Sequence, residues 1–261
     1  MTAPVLPGAE PFSATGDDRG VLVLHGFTGN PYSMRGVAER LAAAGLTVDL
    51  PLLPGHGTRV EDLVPTRWVD WVDAVEGSYR DLARRCRRVA VVGMSMGGSL
   101  ACWVARRHAD VAGLVLVNPL VEPDDGLRAA ADELLRAGTE VAPGIGSDIA
   151  RPGTPELSYP GTPLAAAISL LDAVEELAPG LPAIACPVLL LSSREDHVVA
   201  PSNGDRVVAS VSGPVERVWL ERSYHVATLD FDRSVVEERT VAFVTRALGE
   251  APAAAGRQSG E

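Results

Sequence analysis

Lysine is absent from this 261-residue chain, whose 23 basic side chains are all arginine. They are outnumbered by 34 acidic residues, which leaves a formal net charge of −11. Such a surface repels phosphate backbones and disfavours tight docking on anionic lipid, so no nucleic-acid partner is expected. Brief contact with neutral lipid or micelles is compatible with it. The missing lysine reads as codon bias in the genome rather than as function. Cysteine is scarce too. Cys86, Cys102 and Cys186 fall in apolar or helical contexts without metal-ligand spacing, which points to reduced core thiols and to no metal site. Hydrophobic runs are short: none approaches the ~20 residues of a membrane span. Residues Met1 to Gly20 carry no basic stretch ahead of an apolar core. Neither stable membrane insertion nor a signal peptide is therefore expected, and the expected location is the cytoplasm.

What is present suits a single large domain. Hydrophobic residues make up 46% and charged residues 22%, enough apolar material for a substantial core. Short runs rich in Val and Leu alternate with helical patterns, the mark of a mostly parallel sheet wrapped by helices, an α/β fold. Strands are expected at 20–24, 46–50, 89–92, 111–117, 187–192 and 216–220. Between them, helices are expected over 31–44, 66–85, 96–107, 202–211 and 234–248. The stripe Trp68, Trp71, Val72, Val75, Tyr79 and Leu82 reads as the core face of the second helix. Residues 120–181 break the alternation, with helical segments, a Gly/Pro-rich stretch over 143–163 and no convincing strand. This segment reads as a cap or lid inserted before the next strand of a single domain spanning 1–261. The Ala/Gly-rich tail 249–261 is expected to be disordered.

The chemistry concentrates at Gly93-Met94-Ser95-Met96-Gly97-Gly98. A strand enters this G-x-S-x-G pattern and a helix leaves it, the arrangement that projects a serine hydroxyl from a sharp turn. Ser95 is the candidate nucleophile; the competing reading is a tight turn whose serine only caps the helix. A serine needs a base, and the base an acid to hold its tautomer. Asp196 lies just past the strand at 187–192, where catalytic groups of open α/β sheets gather. Glu195 competes for the acid role, and Asp172 and Asp205 are weaker because they fall on predicted helices. Of the histidines beyond Ser95, His197 is too close in sequence to Asp196, whereas His225 follows the strand at 216–220 and is the expected base. His108 reads as a helix-end residue, and His25 and His56 as shapers of glycine-rich loops. Backbone N–H groups of Met96 and of Phe27, in His25-Gly26-Phe27-Thr28-Gly29, are placed to form an oxyanion hole.

These residues together resemble a family. Gly-Met-Ser-Met-Gly-Gly at 93–98, His-Gly-Phe-Thr-Gly at 25–29, Leu-Pro-Gly-His-Gly at 53–57, Glu-Asp-His-Val-Val at 195–199 and Ser-Tyr-His-Val-Ala-Thr-Leu-Asp at 223–230 are similar to the bacterial monoacylglycerol lipases and their carboxylesterase relatives. The resemblance runs from about Val21 to Leu248. It implies the α/β-hydrolase fold with a cap before the acid-bearing strand, a Ser95–Asp196–His225 triad, and Phe27 and Met96 as oxyanion donors. No cofactor is implied, and the substrate is a lipid ester. In the cap, Gly144 to Ile149, Glu156 to Tyr159 and Thr162-Pro163 resemble the family's lid, which gives Glu156 a glycerol-binding role and Ile145 a gating role. A solvent-exposed carboxylate is the plainer reading of Glu156. The apolar face Leu164, Ala167, Ile168, Leu171 and Val174 either lines an acyl channel or docks the cap. The implied activity is hydrolysis of monoacylglycerol to fatty acid and glycerol. A broad carboxylesterase for short or medium esters, or an acyltransferase, would use the same residues.

Overall fold

The computed structural model describes residues 3–122, 124–144 and 146–249. Ile145 and the tail beyond Gly249 lie outside the described residues, and so do the expectations placed on them. Along the chain run β1 (Phe12–Ala14), β2 (Arg19–Leu24), α1 (Arg35–Ala43), β3 (Thr47–Leu50), α2 (Val60–Leu63) and α3 (Trp68–Arg85). Next come β4 (Arg88–Met94), α4 (Met96–Arg107), β5 (Leu114–Val117), α5 (Asp125–Arg136), β6 (Val141–Pro143) and β7 (Gly161–Pro163). The chain closes with α6 (Leu164–Leu177), β8 (Val188–Ser193), α7 (Ser202–Ser210), β9 (Val215–Leu220) and α8 (Arg233–Leu248).

Seven strands form one sheet in the order β1-β3-β2-β4-β5-β8-β9. Only β1, at the edge, runs antiparallel to its neighbour; the other pairings are parallel. The strands alternate sides residue by residue, as a pleated strand must. Leu22, Val91, Leu114 and Val188 lie abreast across four strands and join one buried cluster with α3, α4 and α6. Their successors Val23, Val92, Val115 and Leu189, also abreast, join a second cluster with α1 and α8 on the other face. Both faces are covered, which is why these strands read as unbroken apolar runs. Because the strands are parallel, the loops after β2, β4, β5, β8 and β9 all leave from one edge of the sheet. That edge carries the site.

The structure corrects several expectations. The segment between β5 and β8 does contain strands: β6 and β7 pair antiparallel as a separate two-stranded sheet. Each is three residues long and ends in proline, so neither produces a period of two that a sequence pattern can register. The short edge strand β1 escaped notice for the same reason. The strand expected over 111–117 starts only at Leu114. The helix expected over 31–44 opens with a 3-10 turn, Pro31–Met34, capped by the Asn30 side chain. The core stripe of α3 is as expected at Trp71, Val72, Val75, Tyr79 and Leu82, all buried, whereas Trp68 at the helix start is only partly buried. On α6 the buried face is Leu164, Ala166, Leu170, Leu171, Val174 and Leu177, so the helix docks the insertion on the core. Ile168 instead faces an outward groove of about 470 Å³ shared with Trp68 and Val69.

Trp71 links this core to the loops above it: its indole N–H donates to Pro54 O at 3.1 Å, and its ring packs against Phe27 and His56. Truncating a fully buried tryptophan costs about 3–5 kcal/mol. Trp71→Ala is therefore expected to lower Tm by about 10 °C in thermal denaturation.

Candidate active site

Between the end of β4 and the start of α4 a single residue, Ser95, turns the chain, with φ 56° and ψ −122°. L-residues avoid this region at a cost of about 1–3 kcal/mol, so the surroundings must impose it. They do so from three sides. Ser95 N–H donates to Val117 O on β5 at 3.1 Å. Its carbonyl accepts from Gly98 N at 2.8 Å and Leu120 N at 3.3 Å. The helix turn that follows packs directly on β4 and β2. A Cβ on Gly93 would lie 2.0 Å from Gly97 O, and one on Gly97 would lie 2.3 Å from Leu24 O. The two glycines of the motif are thus dictated by closeness of backbone. The turn leaves Ser95 partly accessible among buried neighbours.

The candidate acid and base, Asp196 and His225, stand on the loops after β8 and β9. His225 Nδ1–H donates to Asp196 Oδ2 at 2.8 Å, both side chains being almost fully buried. The other oxygen, Oδ1, accepts from the backbone N–H of Val198 and Val199 at 2.9 and 2.8 Å, which orients the carboxylate. With Nδ1 carrying the proton, Nε2 of His225 is the lone-pair nitrogen available to a hydroxyl. The rival carboxylates go elsewhere. Glu195 is exposed, Asp172 pairs with Arg128 at 2.8 Å, and Asp205 pairs with Arg217. His197 pairs with Asp148 at 2.8 Å, and His108 with the buried Glu76 at 3.0 Å.

Phe27 sits on the loop after β2, half-buried against Trp71. Met96 begins α4, where a helix leaves its first N–H groups outside its own ladder. The loop is braced by two buried histidines. His25 Nδ1–H donates to Gly26 O at 2.9 Å while Nε2 accepts from Leu53 N at 3.2 Å. His56 Nδ1–H donates to Pro54 O at 2.9 Å. Burial pushes the two imidazoles down to about 4 and about 3, so both are neutral spacers at pH 7. Burial moves the Cys102 and Cys186 thiols the other way, up to about 12 and about 11, which leaves them poor nucleophiles. Among the described residues, no group of three or more His, Cys, Asp and Glu is placed to hold a metal ion, and no helix is long and apolar enough to cross a membrane.

The insertion reaches over this edge. Glu156 is half-buried and near enough to His225 to interact with its charge; burial raises its carboxyl above the ordinary 4.5, opposed by His225 and by a hydrogen bond from Ser147. Tyr159 fastens the same stretch to the loop after β2 and to the Gly55 turn. Its N–H donates to Thr28 O at 3.0 Å and its hydroxyl to Gly55 O at 2.9 Å.

Three residues at this edge were missed from the sequence. Asn118, at φ 43°, donates to His225 O at 2.8 Å and accepts from Ser193 N at 2.8 Å. Asp148 and Asp230 join the insertion to the loop of His225. An Asn at a strand end or an Asp in a loop reads as turn chemistry. Most of their partners are backbone groups, several of them dozens of residues away, which leave little trace in side-chain patterns.

Two outcomes are expected. Gly97→Ala should lower Tm by about 5 °C or more and slow labelling of Ser95 by an active-serine probe, because the added methyl meets backbone that cannot yield. His197 should titrate above its ordinary 6.5, raised by the hydrogen bond and charge of Asp148. The pair then stabilises the fold below pH 6.5 and fades as the pH rises through the raised value. Imidazole NMR of the wild type and of Asp148→Asn checks this, the variant returning His197 toward 6.5.

The same chain can be placed among known proteins. Residues 21–238 match the profile of the Alpha/beta hydrolase family. The thermostable monoacylglycerol lipase of Bacillus sp. (strain H-257) is 43% identical over 249 residues, covering 94% of this chain and 98% of that protein. The carboxylesterase of Bacillus subtilis (strain 168) is 26% identical over 244 residues, covering 91% and 96%. A solved structure described with LipS and LipT, two metagenome-derived lipolytic enzymes, superposes with a TM-score of 0.90 at 41% identity over 93% of this chain and 100% of that one. The chain belongs to the alpha/beta hydrolase family, and nearly its whole length is similar to a bacterial monoacylglycerol lipase.

Proposed function

We propose that the protein hydrolyses monoacylglycerols to fatty acid and glycerol, with Ser95, Asp196 and His225 as its triad. Ser95 Oγ attacks the ester carbonyl as His225 Nε2 takes its proton, and the N–H groups of Phe27 and Met96 receive the oxyanion. His225 then returns the proton to the departing glycerol oxygen. A water molecule, deprotonated by His225, releases the acid from the acyl-enzyme. Asp196 holds the imidazole in the tautomer this requires. The insertion, residues 120–181, acts as a cap that presents Glu156 to the glycerol hydroxyls.

The observation that favours this choice of substrate is Glu156, half-buried on the insertion and near enough to His225 for their charges to interact. A carboxylate held near the base can accept hydrogen bonds from a polyol leaving group; a simple alkyl ester offers it none. Similarity to a monoacylglycerol lipase at 43% identity supports the reading. The reading also places the protein in the cytoplasm, in keeping with its three free cysteines, and without nucleic-acid partners, in keeping with its net charge of −11. Contact with lipid is limited to what substrate pick-up from micelles or bilayers requires.

Ser95→Ala is expected to lower kcat by about 10⁶ on any ester. Glu156→Ala should cut kcat/KM for a monoacylglycerol by about 10-fold or more, the worth of a hydrogen bond to a charged group. It should leave the methyl ester of the same fatty acid unchanged. Steady-state assays on the matched pair check both. Equal losses on the two esters, or none, would place the protein among broad carboxylesterases instead.

A further inference from the structure

Two loops must stay in register for the His225–Asp196 bond to form. The acid follows β8 and the base follows β9, 29 residues apart in sequence. Adjacent strands fix the roots of these loops, but their tips are irregular chain. The backbone N–H groups flanking the pair converge on one atom that belongs to neither loop. Oδ2 of Asp148 accepts from His225 N at 3.0 Å and from His197 N, the residue after the acid, at 3.1 Å. Oδ1 of the same carboxylate pairs with His197 Nδ1 at 2.8 Å, and the Asp148 carbonyl accepts from Val226 N at 3.1 Å. The carboxylate is only 13% exposed, so these partners stand in for its lost hydration.

Asp230 reciprocates. From the His225 loop, its Oδ2 accepts from Tyr224 N at 2.9 Å and from Ala150 N of the insertion at 2.7 Å, and its Oδ1 from Arg151 N at 2.9 Å. Each segment thus sends a carboxylate into the backbone of the other.

We infer that Asp148 is a positioning residue: a cap carboxylate that ties the acid loop to the base loop, so that the triad is complete only when this part of the cap is seated. The inference rests on the Ser95–Asp196–His225 reading. Its physical content is acceptor placement. A misplacement of about 1 Å between catalytic groups is enough to cost about 10²-fold in rate, whereas substrate binding, which does not need the base in register, is spared.

Three variants separate acceptor placement from charge. Asp148→Asn keeps an oxygen at the position of Oδ2 and removes the charge. Asp148→Glu keeps the charge and displaces it by a methylene. Asp148→Ala removes both. Each is assayed on a soluble p-nitrophenyl ester, with kcat expressed per serine titrated by a fluorophosphonate probe and Tm recorded alongside. The expected result is kcat within threefold of wild type for Asn, and lowered about 10- to 100-fold for Glu and Ala, with KM changed by less than threefold. Wild-type kcat per titrated serine in Asp148→Ala would overturn the inference, as would an active Glu variant beside an inactive Asn variant. If Asp148→Ala does not fold, the Asn and Glu pair decides the matter alone. Failure of the wild-type protein to take up the probe at Ser95 would instead overturn the triad itself, a distinct outcome.

Discussion

The arrangement depends on how closely the first turn of α4 approaches β2 and β4. Gly97 stands where a methyl would overlap both Leu24 O and His25 O, and Gly93 where one would overlap Gly97 O. That closeness forces Ser95 into its rare backbone conformation and, in the same stroke, brings the loop after β2 beside it: a Cβ on Gly26 would lie 3.4 Å from Ser95 Cβ. The conformation of Ser95 and the nearness of the loop that carries Phe27 are therefore consequences of one packing contact. Nothing about the serine's position is adjustable without moving two strands whose neighbours on both faces are fully buried.

The five histidines show how environment assigns roles to one side chain. His25 and His56 are sealed among backbone carbonyls and aromatic rings and stay neutral. His108 leans on Glu76 between α3 and α4. His197 stands at the surface with its charge favoured by Asp148. His225 is buried but met by Asp196 on one nitrogen only. A base needs that last combination, a fixed proton on one side and an open lone pair on the other.

Much of this was legible in the sequence because the physics behind it is local. Runs such as Val188 to Leu191 are apolar at every position because both sheet faces are covered. Gly-x-Ser-x-Gly is spelled out because the turn admits no other spacing. The order Ser95, Asp196, His225 along the chain is the order of the strands β4, β8 and β9 whose loops bear them. What escaped was of two kinds. The strands β1, β6 and β7 are three residues each, too short to show a period. Asn118, Asp148 and Asp230 act largely through backbone groups, and a loop aspartate that accepts from an N–H 77 residues away looks like any other. Glu156 lay between these cases: by itself it read as a solvated carboxylate, and only the resemblance to a family gave it a task.

The insertion is held very unevenly. Over 148–159 it is bonded to the His225 loop by Asp148 and Asp230 and to the loop after β2 by Tyr159. By contrast, α5 buries only Ala131 and leaves Leu127 and Leu134 exposed. The two halves consequently differ in what a substitution disturbs. Change at Leu127 or Leu134 on α5 alters an outward surface, whereas change in the bonded stretch reaches the loops of Phe27 and His225 directly. The outer, apolar face of α5 can thus be redrawn residue by residue while the inner stretch that carries Glu156 keeps its bonds.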